Sequence, residues 1–231
     1  MNQIKTALLI FATCVAAPLA STAAPVTVPA GLSPGDQYRL AFVTSTTRDA
    51  TSSNIVDYNA HVTAAAAAVP ELLALGTTWN AIGSTIDIDA RDNTGTNPLL
   101  SVGVPIYRLD GVEVAENNAD LWDGSPAAPI STTEFGTNFT SAMVWTGTAT
   151  DGTALPAYTN QLGSGNALNG YPMVHPPVTA YQWTMYYSPI GSTEQGAIYA
   201  ISGVLTVVPE PSTYVLAAMG LATLALVRRR R

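Results

Sequence analysis

Apolar and polar residues alternate along only a few short stretches of this chain, and two longer apolar runs lie close to its ends. Residues 38–44 carry the first strand signal, with Tyr38, Leu40 and Phe42 spaced two apart and Val43 and Thr44 closing the run. Aromatic and β-branched residues in that pattern predict a strand. A helix is predicted next. Ser52 and Ser53 offer capping hydroxyls, Asp57 falls in the first turn, and Ile55, Tyr58, Val62 and Val69 recur at helical spacing. The alanines of residues 64–68 favour the same state. Pro70 ends this helix or opens a second short one. From Trp79 onward the pattern shortens. Strands are expected over residues 79–82, 85–88, 104–109, 112–114, 143–146, 181–187 and 197–207, with Asp110-Gly111 and Asp151-Gly152 as turns. Residues 92–98 and 160–177 read as loop, the second close to the length limit for a stretch without structure. The expected class is α+β: one early helix with a loop-rich, mainly antiparallel β domain.

The two ends carry different signals. Lys5 precedes an apolar run over residues 7–17, then Pro18 and the small residues 20–24. That order predicts a secretory signal peptide over residues 1–23, cut after Ala23 by signal peptidase. The run is too short for a span, which takes about 20 apolar residues. Cys14, the single cysteine, lies inside it. Cleavage therefore leaves a chain with no disulfide, no thiolate nucleophile and no zinc–thiolate site.

At the other end, Val208-Pro209-Glu210-Pro211-Ser212-Thr213 leads into an apolar run over residues 214–227 and then Arg228, Arg229, Arg230 and Arg231. Two prolines impose an extended boundary. The run predicts a C-terminal transmembrane helix of roughly 21 Å, short against a hydrocarbon core of roughly 30 Å. Snorkelling arginines and local thinning close that gap, and the arginines hold the terminus in the cytoplasm.

Pro-Glu-Pro, a short apolar helix and an arginine cluster together resemble the PEP-CTERM sorting domain, here over residues 208–231. The resemblance implies an exosortase substrate of a Gram-negative bacterium that makes extracellular polysaccharide. Such a chain would be exported through the inner membrane, anchored there by its tail, and then sorted to the cell surface. The implied partners are signal peptidase and exosortase during processing, and an exopolysaccharide or surface protein afterwards.

Between the ends, residues 24–207 suffice for one domain with its own core. This part holds Arg39, Arg48, Arg91 and Arg108 against fifteen carboxylates and no lysine, a net charge of −11, whereas the whole chain carries −7. Nucleic acid and sulfated polymers need a basic footprint and are excluded as partners. Cations, cationic partners and neutral glycans are permitted.

The order of Trp79-Asn80-Ala81-Ile82, Val104-Pro105-Ile106, Leu121-Trp122-Asp123-Gly124, Val144-Trp145-Thr146, Trp183 and Ile198-Tyr199-Ala200-Ile201 is similar to the C-type-lectin-like fold of endostatin domains. That family's disulfides, heparin-binding basic face and zinc-binding histidines have no counterpart here. The resemblance implies the fold without those ligands.

Candidate chemistry is sparse. Asp87, Asp89, Asp92 and Asn93 place oxygens at short intervals in a Gly-containing loop, as Ca²⁺ coordination requires. A second acidic group comprises Glu113, Glu116, Asn117, Asn118, Asp120 and Asp123. Trp122, beside Asp123 and Gly124, is the tryptophan expected to be exposed and to stack on a sugar, whereas Trp145 and Trp183 are expected in the core. His61 and His175 are the two histidines, and no Gly-x-Ser-x-Gly, His-Glu-x-x-His or P-loop motif accompanies them. The expectation is a non-enzymatic structural, adhesion or matrix protein without an obligatory cofactor, binding glycan or protein through a lectin-like domain. The alternative is a secreted hydrolase using a carboxylate pair.

Overall fold

The computed structural model describes residues 24–140, 143–155, 159–172 and 183–208. The predicted signal peptide, Pro209-Glu210-Pro211, the apolar run and the terminal arginines lie outside the described residues, as does His175. Among the described residues no helix is long and apolar enough to cross a membrane.

The class is α+β, with sheet predominant. In chain order the elements are β1 (Gln37–Val43), α1 (Ile55–Ala67), α2 (Pro70–Leu73), β2 (Trp79–Ala81), α3 (Ala90–Asn93), β3 (Ile106–Arg108), β4 (Glu113–Ala115), α4 (Asn118–Leu121), β5 (Val144–Trp145), β6 (Asn166–Gly170), β7 (Tyr186–Gly191), β8 (Ala197–Ser202) and β9 (Leu205–Thr206). They form one sheet in the order β4-β3-β1-β8-β5-β6-β7, with β2 also on β8 and β9 also on β1. The sheet is mixed: β1–β3 and β5–β8 are parallel, and the other pairings are antiparallel.

β1 and β8 are the central strands, and both of their faces are covered. Tyr38, Leu40 and Phe42 of β1 join Ile198 and Ala200 of β8 on one face, packed with Tyr58 and Val62 of α1, Leu72 of α2, Trp79 and Trp145. Ala41 and Val43 join Tyr199 and Ile201 on the other face, with Ile106, Leu121, Trp122, Ile130 and Trp183. Each large apolar side chain so buried contributes about 1.5–3 kcal/mol.

α1 forms where the periodicity places it, and its buried stripe contains Tyr58 and Val62. Its cap is Asn54, whose side chain accepts from the Val56 amide at 3.1 Å, rather than either serine. Ser52 instead donates to Asp57. Pro70 opens α2 at its first turn, where its missing N–H costs nothing.

Three expectations fail, the first being the strand expected over residues 181–187: residues 183–185 are not strand, and β7 starts at Tyr186 and runs to Gly191. Residues 85–88 form a tight turn, with the Thr85 amide donating to the Ile88 carbonyl at 3.0 Å and Ile86 and Ile88 exposed. The stretch expected as loop over residues 160–177 contains β6. Asn166, Ala167, Asn169 and Gly170 have poor strand propensity, but pairing to β5 and β7 overrides it. β7 itself carries Pro189, which is admissible because β7 is the edge strand.

Candidate functional site

The four residues of the acidic loop do not converge: the side chains of Asp89, Asp92 and Asn93 are directed to different partners. Among the described residues no group of three or more His, Cys, Asp or Glu side chains could hold a metal ion. Asp87 is exposed in the turn before α3. Asp89 accepts from the Ala154 amide at 2.7 Å and faces Arg91 at 3.8 Å. Asp92 accepts from the Asn97 amide group at 2.6 Å. Asn93 turns the other way, toward α1 and β2. Its Nδ2 donates to the Ala81 carbonyl at 2.7 Å and to Asn59 Oδ1 at 2.9 Å, while its Oδ1 accepts from Asn59 Nδ2 at 2.8 Å. Asn59 Oδ1 also accepts from the Ala81 amide at 2.8 Å. The two asparagines thus satisfy both backbone groups of Ala81 on the free edge of β2, and Thr63 of α1 donates to the Trp79 carbonyl on the same strand. Nothing in the sequence pattern marks that role.

The second acidic group is also spent locally. Asn117 caps α4 by accepting from the Ala119 and Asp120 amides, Asp120 accepts from the Glu116 amide, and Asp123 from the Ser125 amide.

Trp122 is not an exposed sugar platform. It is 5% exposed, its ring centroid lies 5.5 Å from that of Trp183, and its Nε1 donates to Thr96 Oγ1 at 2.9 Å. The Asn117 cap sets α4 so that its last turn drives Trp122 inward. The Asp151-Gly152 turn then packs beneath the indole: a Cβ on Gly152 would lie 2.7 Å from Trp122 Cδ2. Trp145 and Trp183 are core, as expected.

A cleft lined by binding chemistry lies elsewhere. It has a volume of about 470 Å³ and is lined by Arg108, Pro129, Ser131, Asn138, Phe139, Thr140 and Pro172. Arg108 comes from the end of β3 and is fixed on every side. Its Nε and Nη2 form a bidentate pair with Asp110 at 3.0 and 2.6 Å, and its Nη1 donates to the Pro129 carbonyl and Ser131 Oγ at 3.0 and 2.8 Å. Phe139, anchored by its amide to the Ser131 carbonyl, offers an apolar floor, while Asn138 and Thr140 offer exposed polar groups. Pro172 closes one wall, and the preceding residue, Tyr171, stacks on Tyr186 of β7 with centroids 5.2 Å apart. Tyr186 is 43% exposed. Sequence reading missed this group because its members come from five separate segments. The one available signal was Tyr171-Pro172, set in a stretch read as loop.

A second cluster surrounds Glu134, which is 1% exposed. Its carboxylate accepts from the Ser45 amide at 2.8 Å and from Ser45 Oγ at 2.5 Å. His61 approaches Thr46 Oγ1 at 3.4 Å, not Ser45, so no serine–histidine relay is made. Burial pushes the His61 imidazole below its ordinary range. The cleft described above, the groove between α1 and β2, and a small cavity beside Gln161 are lined without Asp or Glu.

The four arginines of the domain are all engaged within it. Arg39 donates to the carbonyls of Thr94, Gly95 and Ser202, Arg48 lies 4.0 Å over the Tyr58 ring, Arg91 faces Asp89, and Arg108 holds Asp110. Their charge is therefore spent inside the fold, and the acidic balance is left to the surface.

The strongest identification comes from the tail. Residues 207–231 match the family model of the PEP-CTERM protein-sorting motif. The chain carries a PEP-CTERM tail. The match begins one residue before the boundary drawn from composition and contains Pro209, Glu210, Pro211 and the four terminal arginines. This tail marks an exported protein that is sorted to the cell surface by way of exosortase. No curated protein matches the chain.

Proposed function

We propose that the PEP-CTERM chain displays a glycan-binding domain at the cell surface, where it acts as an adhesion or matrix component rather than as an enzyme. The observation that carries this reading is the cleft whose wall at Pro172 is followed back along the chain to Tyr171, which stacks on the exposed Tyr186. An exposed aromatic face with amide and hydroxyl groups near it, here Tyr186, Asn138 and Thr140, offers a neutral sugar stacking and hydrogen bonding, while Arg108, spent on Asp110, Pro129 and Ser131, holds the shape of the cleft. The acidic surface favours a neutral glycan over a sulfated one. The lectin-like likeness of the sequence belongs to the same proposal. Residues 1–23 act in it as a cleaved export signal, and residues 214–227 as a membrane-inserted segment that holds the chain until exosortase acts.

The test is retention of the producing organism's own exopolysaccharide by the purified chain, with dextran-type and sulfated polymers for comparison. Retention of the native neutral polymer supports the reading. Equal behaviour toward all polymers, or retention by none, removes it.

A further inference from the structure

We propose that Leu99, Leu100 and Val102 form a lipid-contacting surface that seats one end of the domain on the membrane. This rests on the reading of residues 214–227 as membrane-inserted. These side chains are 80%, 81% and 78% exposed. A single exposed aliphatic residue is ordinary, but three within four positions form a patch.

The patch is not the product of a loose loop. The Leu100 and Ser101 amides donate to the Asn97 carbonyl at 3.0 and 3.2 Å, and the Leu99 amide to Asn97 Oδ1 at 2.9 Å. Asn118, fully buried, donates from Nδ2 to the Ser101 carbonyl and from its amide to the Val102 carbonyl. Gly103, at φ +80°, closes onto Asn118 so tightly that any Cβ would lie 2.1 Å from Oδ1. The turn is therefore held with its apolar side chains in water, an arrangement that costs solvation unless something covers them.

The topology says what covers them. The turn precedes β3, which runs parallel to β1, so it lies at the end of the sheet where β1 begins and β8 finishes. Arg39 ties the two together, bonding the Thr94 and Gly95 carbonyls on one side and Ser202 on the other. The chain leaves the domain at that same end, through β9 and past Val207, which exchanges hydrogen bonds with Gly35 and Asp36. Val204 and Val208 are exposed there as well, at 45% and 77%. Residues 209–213 can span at most about 18 Å before the apolar run begins. This end of the domain thus faces the bilayer at short range. Asp36 and Asp92 lie at this end, and among the described residues no arginine is free to meet anionic headgroups, so the contact is apolar and suits zwitterionic lipid.

The experiment uses the full chain with Cys14→Ser, reconstituted in phosphatidylcholine nanodiscs. Single cysteines carry an environment-sensitive fluorophore at Leu100→Cys, at Ala222→Cys in the apolar run, and at Thr193→Cys in the turn at the opposite end of β8. Nitroxide lipids are expected to quench the label at 222 and, several-fold more than at 193, the label at 100. Adding Leu99→Asp should lower the quenching at 100 several-fold. Quenching at 222 with the label at 100 as water-exposed as that at 193 overturns the proposal and leaves the tail reading intact. No quenching at 222 overturns both. Label–label self-quenching at 100 that persists in detergent assigns the patch to a second copy and also overturns it.

Discussion

Replacing Asn93 with alanine separates a structural from a metal-binding role for the acidic loop. The side chain makes one hydrogen bond to the Ala81 carbonyl and two with Asn59. Ala81 is fully buried, so its carbonyl finds no water once Asn93 is truncated. An orphaned buried acceptor costs about 1–3 kcal/mol, and the weakened Asn59 pair adds about 0.5–1 kcal/mol. The expected loss is about 1.5–4 kcal/mol, or a fall in melting temperature of roughly 3–16 °C for a domain of this size. Asn93→Asp is the sharper variant. It removes the donor and sets a carboxylate against the Ala81 carbonyl and Asn59 Oδ1, so it should destabilise at least as much. A calcium ligand would tolerate the same change. Thermal unfolding followed by circular dichroism, with Ca²⁺ and with EDTA, decides between them. A double-mutant cycle with Asn59→Ala should give a coupling above about 0.5 kcal/mol. An Asn93→Asp chain as stable as wild type and further stabilised by Ca²⁺ would refute the reasoning.

Trp122→Ala should cost about 3–5 kcal/mol in denaturant unfolding, and Trp122→Phe only about 1 kcal/mol, because the ring packing survives and the bond to Thr96 does not. A loss under 1 kcal/mol for the alanine variant would place the indole in solvent. Burial holds the Tyr58 phenol up to about 12, above its unfolded value of roughly 10. The folded chain keeps that proton while the unfolded chain loses it. The associated stability is thus present below about pH 10 and lost as pH rises toward 12. A difference titration of phenolate absorbance against Tyr58→Phe checks this, and a midpoint near 10 would contradict it. Tyr186→Ala should lower exopolysaccharide retention several-fold with only a small change in melting temperature, since the residue lies on the edge strand and is 43% exposed.

The parts legible in the sequence are those fixed by local chemistry. The helical spacing of Tyr58 and Val62, the proline at the start of α2 and the Asp110-Gly111 hairpin each need only neighbours a few residues away. The parts that were not legible depend on distant partners. β6 is a strand because β5 and β7 lie beside it, not because Asn-Ala-Leu-Asn-Gly favours one. Asn93 resembled a ligand by spacing, yet α3 rotates it away from Asp92 toward Asn59, thirty-four residues earlier. Trp122 sits among polar loop residues in sequence but under Gly152 and beside Trp183 in space. The sorting tail was legible at once, because its signal is linear.

This tail delivers an acidic domain to the outside of the cell. Protease shaving of intact exosortase-containing cells tests it most directly, comparing the native chain with one in which Pro209, Glu210 and Pro211 are all replaced by alanine. The native domain is expected to be released from the surface, and the altered chain to stay protected in the envelope. Equal release of both would contradict it.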